Sequence, residues 1–437
     1  MSEIREDNKR EAQQEEKELH MQESLESEEK YSFLQETVKD EQVTGRGVWK
    51  SILRTAGRGL TFGLAACLAF CALQPWASKK FGRNEVTIPQ DEEEREDERK
   101  LNGDAADGEM VEYPELTADD YQEMNRAIYE VAAAAERCVV EVGVVRDEAV
   151  LENIKYDDVN SVSGVIVWDN GTDILVLAPS RISKDAKSLN VTFPDNTKYE
   201  ADLKKQDRNL RLAVFAVSKA QLSDSTKSQI KAAVLGNSNI VNRGDGVIVL
   251  GKQFGYSGGM GYGIVSSTRN RVAVADREFR ILTTDIAASE KGSGVLFNLN
   301  GEVIGIIDQT IVDKSRLVTA YAISDIKESI ESLSNGKGVP YLGIHGVEVT
   351  ESISQEKGIP KGIYVKEVEA DSPAMQAGIQ SGDVITSVNK MDISSISEYT
   401  KKLMEFAVGE QIKIKCRRQG ASGYVEVTFD VTVGSRE

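Results

Sequence analysis

This sequence predicts a mostly β protein: a β-rich body of about 200 residues and a small mixed α/β domain, set behind one membrane-crossing helix. Three observations predict it. Residues Gly59 to Ser78 form 20 consecutive uncharged positions. Between residues 138 and 308 lie nine short apolar, β-branched runs separated by Asp, Asn and Gly turns. Beyond residue 339 the pattern switches to short helices alternating with strands.

The chain has 437 residues, 40% of them hydrophobic and 28% charged, which excludes a wholly disordered or multi-spanning protein. With 8 Pro and 4 Cys it is neither collagenous nor disulfide-stapled. Cys67 and Cys71 lie within the uncharged run, and Cys138 and Cys416 fall in different domains, so no structural disulfide is expected. The net charge of −18 is unevenly spread: −8 on residues 1–45, +7 on 46–83, −12 on 84–120 and −5 on 121–437. The folded part therefore offers no basic face, and nucleic acid is not an expected partner.

Residues 1–45 read as a solvated acidic tail, because Leu19, Leu25, Phe33 and Leu34 are too sparse for a core-facing stripe. The run 59–78, at about 1.5 Å per residue, spans the roughly 30 Å hydrocarbon layer. It is flanked by Arg54 and Arg58 on one side and by Lys79, Lys80 and Arg83 on the other. Four bases before the span against three after it barely decide orientation; a cytoplasmic tail with extracytoplasmic folded domains is the expectation. Residues 84–120, with DEEEREDERK at 91–100, read as a self-repelling linker.

After a short helical pattern, AIYEVAAAAER, the nine strand-like runs from CVVEVGVV to EVIGIID describe a barrel or sandwich. The Gly-rich stretch from Gly255 to Gly263 lacks the Lys-Ser/Thr ending of a phosphate loop and reads as a hairpin connection. Farther on, SPAMQAG is an N-capped short helix ending at Gly378, and SISEYTKKLMEF places Ile396, Tyr399, Leu403 and Phe406 at helical spacing. No motif calls for a cofactor or a metal ion.

The runs LGNSNIVNRGDGVIVLGKQFG at 235–255, YGIVSS at 262–267 and TDIAASEKGSGVLFNLNGEVIGI at 284–306 resemble the trypsin-like protease domain of the HtrA/Deg family. Tyr341-Leu342-Gly343-Ile344, with GIYVKEVEADSPAMQAGIQSGDVITSVNK at 362–390, resembles that family's PDZ domain. The likeness covers about 121–433. It implies two six-stranded antiparallel barrels over 121–333, a PDZ domain over 339–433, and assembly as a homo-oligomer, commonly a trimer in the family.

A serine protease needs a hydroxyl with an adjacent base, a carboxylate that orients the base, and amide donors for the oxyanion. The chain contains two histidines, His20 in the tail and His345 in the PDZ region, and neither is placed to be that base. Carried over by resemblance, the catalytic histidine position falls on Pro179 and the orienting aspartate position on Arg211. The nucleophile loop falls on 290–295, one residue short. With the gap after the serine, Ser293 takes the nucleophile position and Lys291 replaces an oxyanion glycine; with the gap before it, Gly292 takes the nucleophile position. A Ser-Lys dyad through Lys291 is opposed by its place on an exposed loop two residues from Ser293. In known triads the loss of one member costs about 10⁴- to 10⁶-fold in turnover.

The PDZ resemblance implies backbone chemistry: a ligand strand added to a sheet edge, with its terminal carboxylate held by the loop Tyr341, Leu342, Gly343 and Ile344. Tyr399 and Leu403 either line a side-chain pocket or pack as ordinary core, and His345 is expected to face solvent. The expected function is that of a membrane-anchored HtrA/Deg pseudoprotease that binds peptides or protein C-termini as a scaffold, sensor or chaperone-like binder. The alternatives are an active serine endopeptidase using Ser293 with a non-histidine base, and an interaction protein acting through its acidic tail.

Overall fold

A β-strand buried on both faces needs apolar side chains at every position, and the sequence supplies such runs at 174–178, 247–250 and 303–307. In the structure, a computed structural model describing residues 85–91, 117–144, 161–184, 186, 188–311 and 315–437, these runs become strands shared between two hydrophobic cores. The first barrel comprises β1 (Val139–Val144), β2 (Ser161–Asp169), β3 (Asp173–Pro179), β4 (Leu189–Thr192), β5 (Lys198–Asp207) and β6 (Leu212–Ser218), closed in the order β1-β2-β3-β6-β5-β4. Alternation decides which core each residue enters: in β3, Ile174, Val176 and Ala178 fill the first barrel, whereas Leu175 and Leu177 face the second.

The second barrel comprises β7 (Gly246–Gly251), β8 (Gly259–Val274), β9 (Arg277–Ala287), β10 (Ser293–Asn298), β11 (Val303–Asp308) and β12 (Leu317–Ala322), closed as β10-β11-β12-β9-β8-β7. Val247, Val249, Leu296, Ile304 and Val318 fill it. Ile248, Leu250, Val295, Phe297 and Ile306 turn outward to meet the first barrel, and Phe279 and Tyr321 pack edge to face between them. Helix α1 (Ala118–Glu136), opened by a capping box between Thr117 and Asp120, contributes Ile128, Ala132 and Ala135 to the same core. A short helix, α2 (Asp224–Gln229), connects the barrels, and α3 (Ile323–Ser334) seals the second with Ile323, Ile326, Ile330 and Leu333.

The C-terminal unit begins with β13 (Pro340–Tyr341) and β14 (Ile344–Val349), followed by α4 (Glu351–Lys357), β15 (Gly362–Val368), α5 (Pro373–Ala377), β16 (Val384–Val388), β17 (Met391–Asp392), α6 (Ile396–Met404), β18 (Gln411–Gly420), β19 (Gly423–Thr432) and β20 (Gly434–Ser435). Its sheet runs β14-β15-β16-β18-β19, so β14 is an end strand. As the sequence predicts, α5 is capped by Ser372 and stops at Gly378, whose φ of 91° is the left-handed C-cap conformation. The second predicted helix, α6, is shorter than the pattern suggests, because Ser395 caps it and Glu405 ends it. Cys138 and Cys416 are buried free thiols.

The predicted span 59–78 and tail 1–45 lie outside the described residues; among the described residues no helix is long and apolar enough to cross a membrane. The linker prediction is altered at one place. Residues 85–91 lie against α3 and bury Val86 and Ile88. Val86 N–H donates to Asn335 Oδ1 at 2.9 Å, and Asn335 Nδ2 donates to Val86 O at 2.8 Å. Ile88 N–H donates to Glu331 Oε2, and Asp91 pairs with the buried Lys327 at 2.8 Å. Asn335→Ala removes both Val86 bonds, and urea unfolding of the full chain should show a loss of about 1–3 kcal/mol; unchanged stability would mean that this strap does not hold.

Candidate functional site

In a trypsin-like body the residues that matter lie where the barrels meet. Pro179, the last residue of β3, pairs with Leu212 of β6, so the positions that the resemblance assigns to histidine and aspartate are indeed neighbours. Neither supplies the chemistry. Pro179 has no acid-base group. Arg211 sits in the left-handed region with φ 54° and turns its guanidinium away, Nη1 donating to Thr310 O at 2.9 Å across the seam. Arg181, two residues past Pro179, donates to Lys291 O at 2.9 Å and pairs with the buried Asp308 at 3.2 Å. Two arginines of the first barrel thus cross-link the loops of the second.

Ser293 opens β10 opposite Asp308, and it is Ser293 rather than Gly292 that presents a side chain to the first barrel. A Cβ at Gly292 would lie 2.6 Å from Gln253 O, so that position takes only glycine. Ser293 is 1% exposed, and its hydroxyl accepts a 2.9 Å hydrogen bond from Ser163 N–H. Ser163 Oγ donates to Ser293 O at 3.2 Å, and Lys252 N–H is shared between Ser163 Oγ and Ser293 O at 2.8 Å each. Gly251, at φ 129°, lets these chains close, since a Cβ there would stand 2.4 Å from Ser163 Oγ. Of the two amides that the resemblance assigns to an oxyanion, those of Lys291 and Ser293, the Ser293 N–H points to Lys252 O at 3.4 Å, and the intervening Gly292 N–H donates to Ser289 O at 2.9 Å.

The Lys291 side chain is exposed, and the contact described for this residue is its carbonyl accepting from Arg181. Sequence reasoning missed a second lysine. Lys252 is buried, with Nζ 2.6 Å from Ser161 Oγ and 3.5 Å from Glu141 Oε1. Burial pushes Glu141 up, but hydrogen bonds from Ser161 and Ser257 and the charge of Lys252 hold it below the ordinary carboxylate range. The Lys252 ammonium group therefore faces a carboxylate and Ser161.

The second set of predicted residues lies in the C-terminal unit. Leu342 N–H, Gly343 N–H and Ile344 N–H converge, and Gly343 takes φ 89° where a Cβ would strike Ser372 at 2.3 Å. All three amides donate to one carboxylate of the second barrel, Asp276, at 2.7, 2.7 and 3.1 Å. Tyr399 OH donates to the same carboxylate at 2.8 Å. Burial, with Asp276 beside it, pushes the Tyr399 phenol well above its usual value, so it remains a donor. Tyr399 and Leu403 are buried among the core residues of this unit. Tyr341 pairs with Gly434 and donates to Glu369 at 2.5 Å. His345, expected in solvent, is instead half-buried with Nε2 3.1 Å from Glu369 Oε1. Among the described residues no group of His, Cys, Asp and Glu is placed to hold a metal ion.

Two closed six-stranded barrels with a seam of this kind, followed by a unit built on a six-stranded sheet whose loop amides gather on a carboxylate, define a trypsin-like body carrying a PDZ domain. Family comparison agrees: residues 162–306 match the trypsin-like peptidase domain and 340–431 match the PDZ domain. In this domain order the chain is similar to the HtrA/Deg serine proteases. It is 30% identical over 288 residues to serine protease Do-like HtrB of Bacillus subtilis, covering 61% of each chain. It is 29% identical over 275 residues to a probable periplasmic serine endoprotease DegP-like of Brucella suis, covering 61% of this chain and 52% of that one. The match thus spans only part of either relative. The solved HtrA-type protease AlgW with decapeptide shares the fold, with a TM-score of 0.51, 24% identity and coverage of 71% of this chain and 99% of that one.

If Ser293 is a seam residue, its removal should destabilise. Ser293→Ala leaves the buried Ser163 N–H without its acceptor and should lower stability in urea by about 1–3 kcal/mol; equal or greater stability would overturn the structural role.

Proposed function

We propose that this protein is a membrane-anchored HtrA/Deg pseudoprotease whose PDZ domain binds peptides or protein C-termini. The observation that carries the reading is the state of Ser293: its hydroxyl is buried and bonded to Ser163 N–H, and among the described residues no imidazole is placed to take its proton. A hydroxyl at its ordinary acidity is a weak nucleophile, and here it is also shielded from substrate. The positions assigned to base and orienting acid hold Pro179 and Arg211, and Ser293 N–H, one of the two amides assigned to an oxyanion, points to Lys252 O. Lys252 offers no rescue, because its amine is directed to Glu141 and Ser161.

On this reading the double barrel is a non-cleaving body, and recognition belongs to the PDZ domain, in a scaffold, sensor or chaperone-like role. Residues 59–78 anchor the chain, with the acidic tail in the cytoplasm and the folded domains outside. Homo-oligomerisation, as in the family, is part of the proposal.

Full chain and Ser293→Ala, treated side by side with a serine-directed phosphonate and with an unfolded protein substrate, should show neither labelling nor cleavage; Ser293-dependent labelling with cleavage would establish an active endopeptidase instead. Alkaline carbonate washing should leave the full chain in the membrane fraction, while deletion of 59–78 releases it; release of the intact chain would overturn the anchor.

A further inference from the structure

We propose that the carboxylate-binding loop of the PDZ domain is filled from within by Asp276, an internal ligand that any peptide carboxylate has to displace. The inference rests on the reading of this domain as a binder of C-termini, and it adds what occupies the site in the resting chain.

Asp276 stands at the tip of the hairpin between β8 and β9, with Val274 paired to Arg277 on either side of the turn. Its φ of 66° is a conformation that Asp tolerates, so a turn alone explains an Asp, Asn or Gly there. A turn does not explain the rest. A hairpin tip is ordinarily wet, yet Asp276 is 3% exposed. Its Oδ2 accepts from Leu342 N–H and Gly343 N–H, and its Oδ1 from Ile344 N–H and Tyr399 OH. Its own N–H donates to Ile344 O at 2.7 Å, and Thr400 Oγ1 donates to Asp276 O at 2.9 Å. A side-chain carboxylate in a nest of backbone amides, with its main-chain N–H bonded to the first residue of an end strand, reproduces what the last residue of a peptide makes when it adds to a sheet edge. Each amide carries one proton. The same three cannot hold Asp276 and a second carboxylate together.

The next residue keeps the tip in place. Arg277 is buried, donates to Ser329 Oγ of α3 at 2.7 Å and reaches the Met404 sulfur at the end of α6. Release of the nest therefore requires the hairpin to withdraw from the PDZ domain. The surface then uncovered, the loop 342–344 with the edge of β14, takes an extended peptide ending in a free carboxylate. Because only the open fraction binds, the apparent affinity of the resting chain falls by that fraction.

The test compares the full chain with Asp276→Asn, which keeps a residue at ease in the turn but replaces one acceptor oxygen by a donor, and with Asp276→Gly as a second turn-compatible variant. Two readouts are taken: hydrogen exchange of the Leu342, Gly343 and Ile344 amides, and binding of a library of short random peptides with free or amidated C-termini. Both variants should exchange those amides at least about tenfold faster than the parent, with barrel amides unchanged, and bind free-acid peptides at least about tenfold more tightly. Equal exchange with equal peptide binding would overturn the internal ligand while leaving the peptide-binding reading intact. Faster exchange with no free-acid peptide bound by any form would support the internal ligand and overturn the peptide-binding reading alone.

Discussion

The hydrogen bond from Ser163 N–H to the Ser293 hydroxyl is the contact on which the seam of the molecule turns. A buried donor without a partner costs about 1–3 kcal/mol. A working protease tolerates open valences at this place because substrate and an imidazole complete them. Here the chain completes them itself: Ser163, Lys252 and Ser293 exchange main-chain and hydroxyl bonds, and Arg181 and Arg211 fasten the surrounding loops. Once these groups are satisfied internally, the strands can close to the point where Gly251 and Gly292 admit no Cβ. The internal satisfaction of these polar groups and the tightness of the packing are thus one arrangement seen from two sides.

The same rule governs the PDZ end. Three amides turned the same way form a concavity for acceptor oxygens, and the Asp276 carboxyl fills it, although burial pushes that group above the usual carboxylate range against the pull of the amide and phenol donors. The docking is reinforced by the chain terminus, where β20 pairs with β13, Arg436 binds Glu369 and Asn209, and Glu437 meets Lys205 of β5 at 2.6 Å. The half-buried His345 belongs to this cluster through Glu369. Glu369 is pushed up by burial, yet the bonds from Tyr341 and His345 and the charge of Arg436 hold it below the ordinary range, which suits an acceptor serving three donors.

Much of the fold was legible because a strand buried on both faces leaves a short apolar, β-branched run, and the flanking Asp, Asn and Gly turns set it apart from a buried helix. The elements that were not legible are those whose partners are remote. β5 reads KYEADLKKQD, a charged strand with only Ala201 and Asp207 buried, so its apolar signal is weak and its place comes from pairing with β4 and β6. Val86 and Ile88 stand in an acidic stretch and become core only because α3 lies beside them. At the site, Pro179 and Arg211 were legible as the residue types at the positions the resemblance points to, and the scarcity of histidine was legible as a count of two. The partner of Ser293 was not, since Ser163 lies 130 positions away with no motif to mark it. Asp276 was hidden for a different reason: in sequence it is an ordinary turn residue, and its meaning appears only when the loop at 342–344 closes over it.

An internal ligand sets a threshold rather than a barrier. Held on a short tether, a carboxylate acts at an effective concentration on the order of millimolar, so a free carboxylate offering only the same three amide bonds gains nothing by exchange. A peptide that opens the proposed site has to add something Asp276 lacks. The fold indicates what that is: Asp276 meets β14 at Ile344, and β14 continues as an end strand to Val349. An extended partner can add further main-chain bonds along that edge, each a small net gain that the turn at 275–276 has no length to make. Affinity would then depend on length as well as on the terminal charge, and isolated carboxylates would leave the hairpin docked.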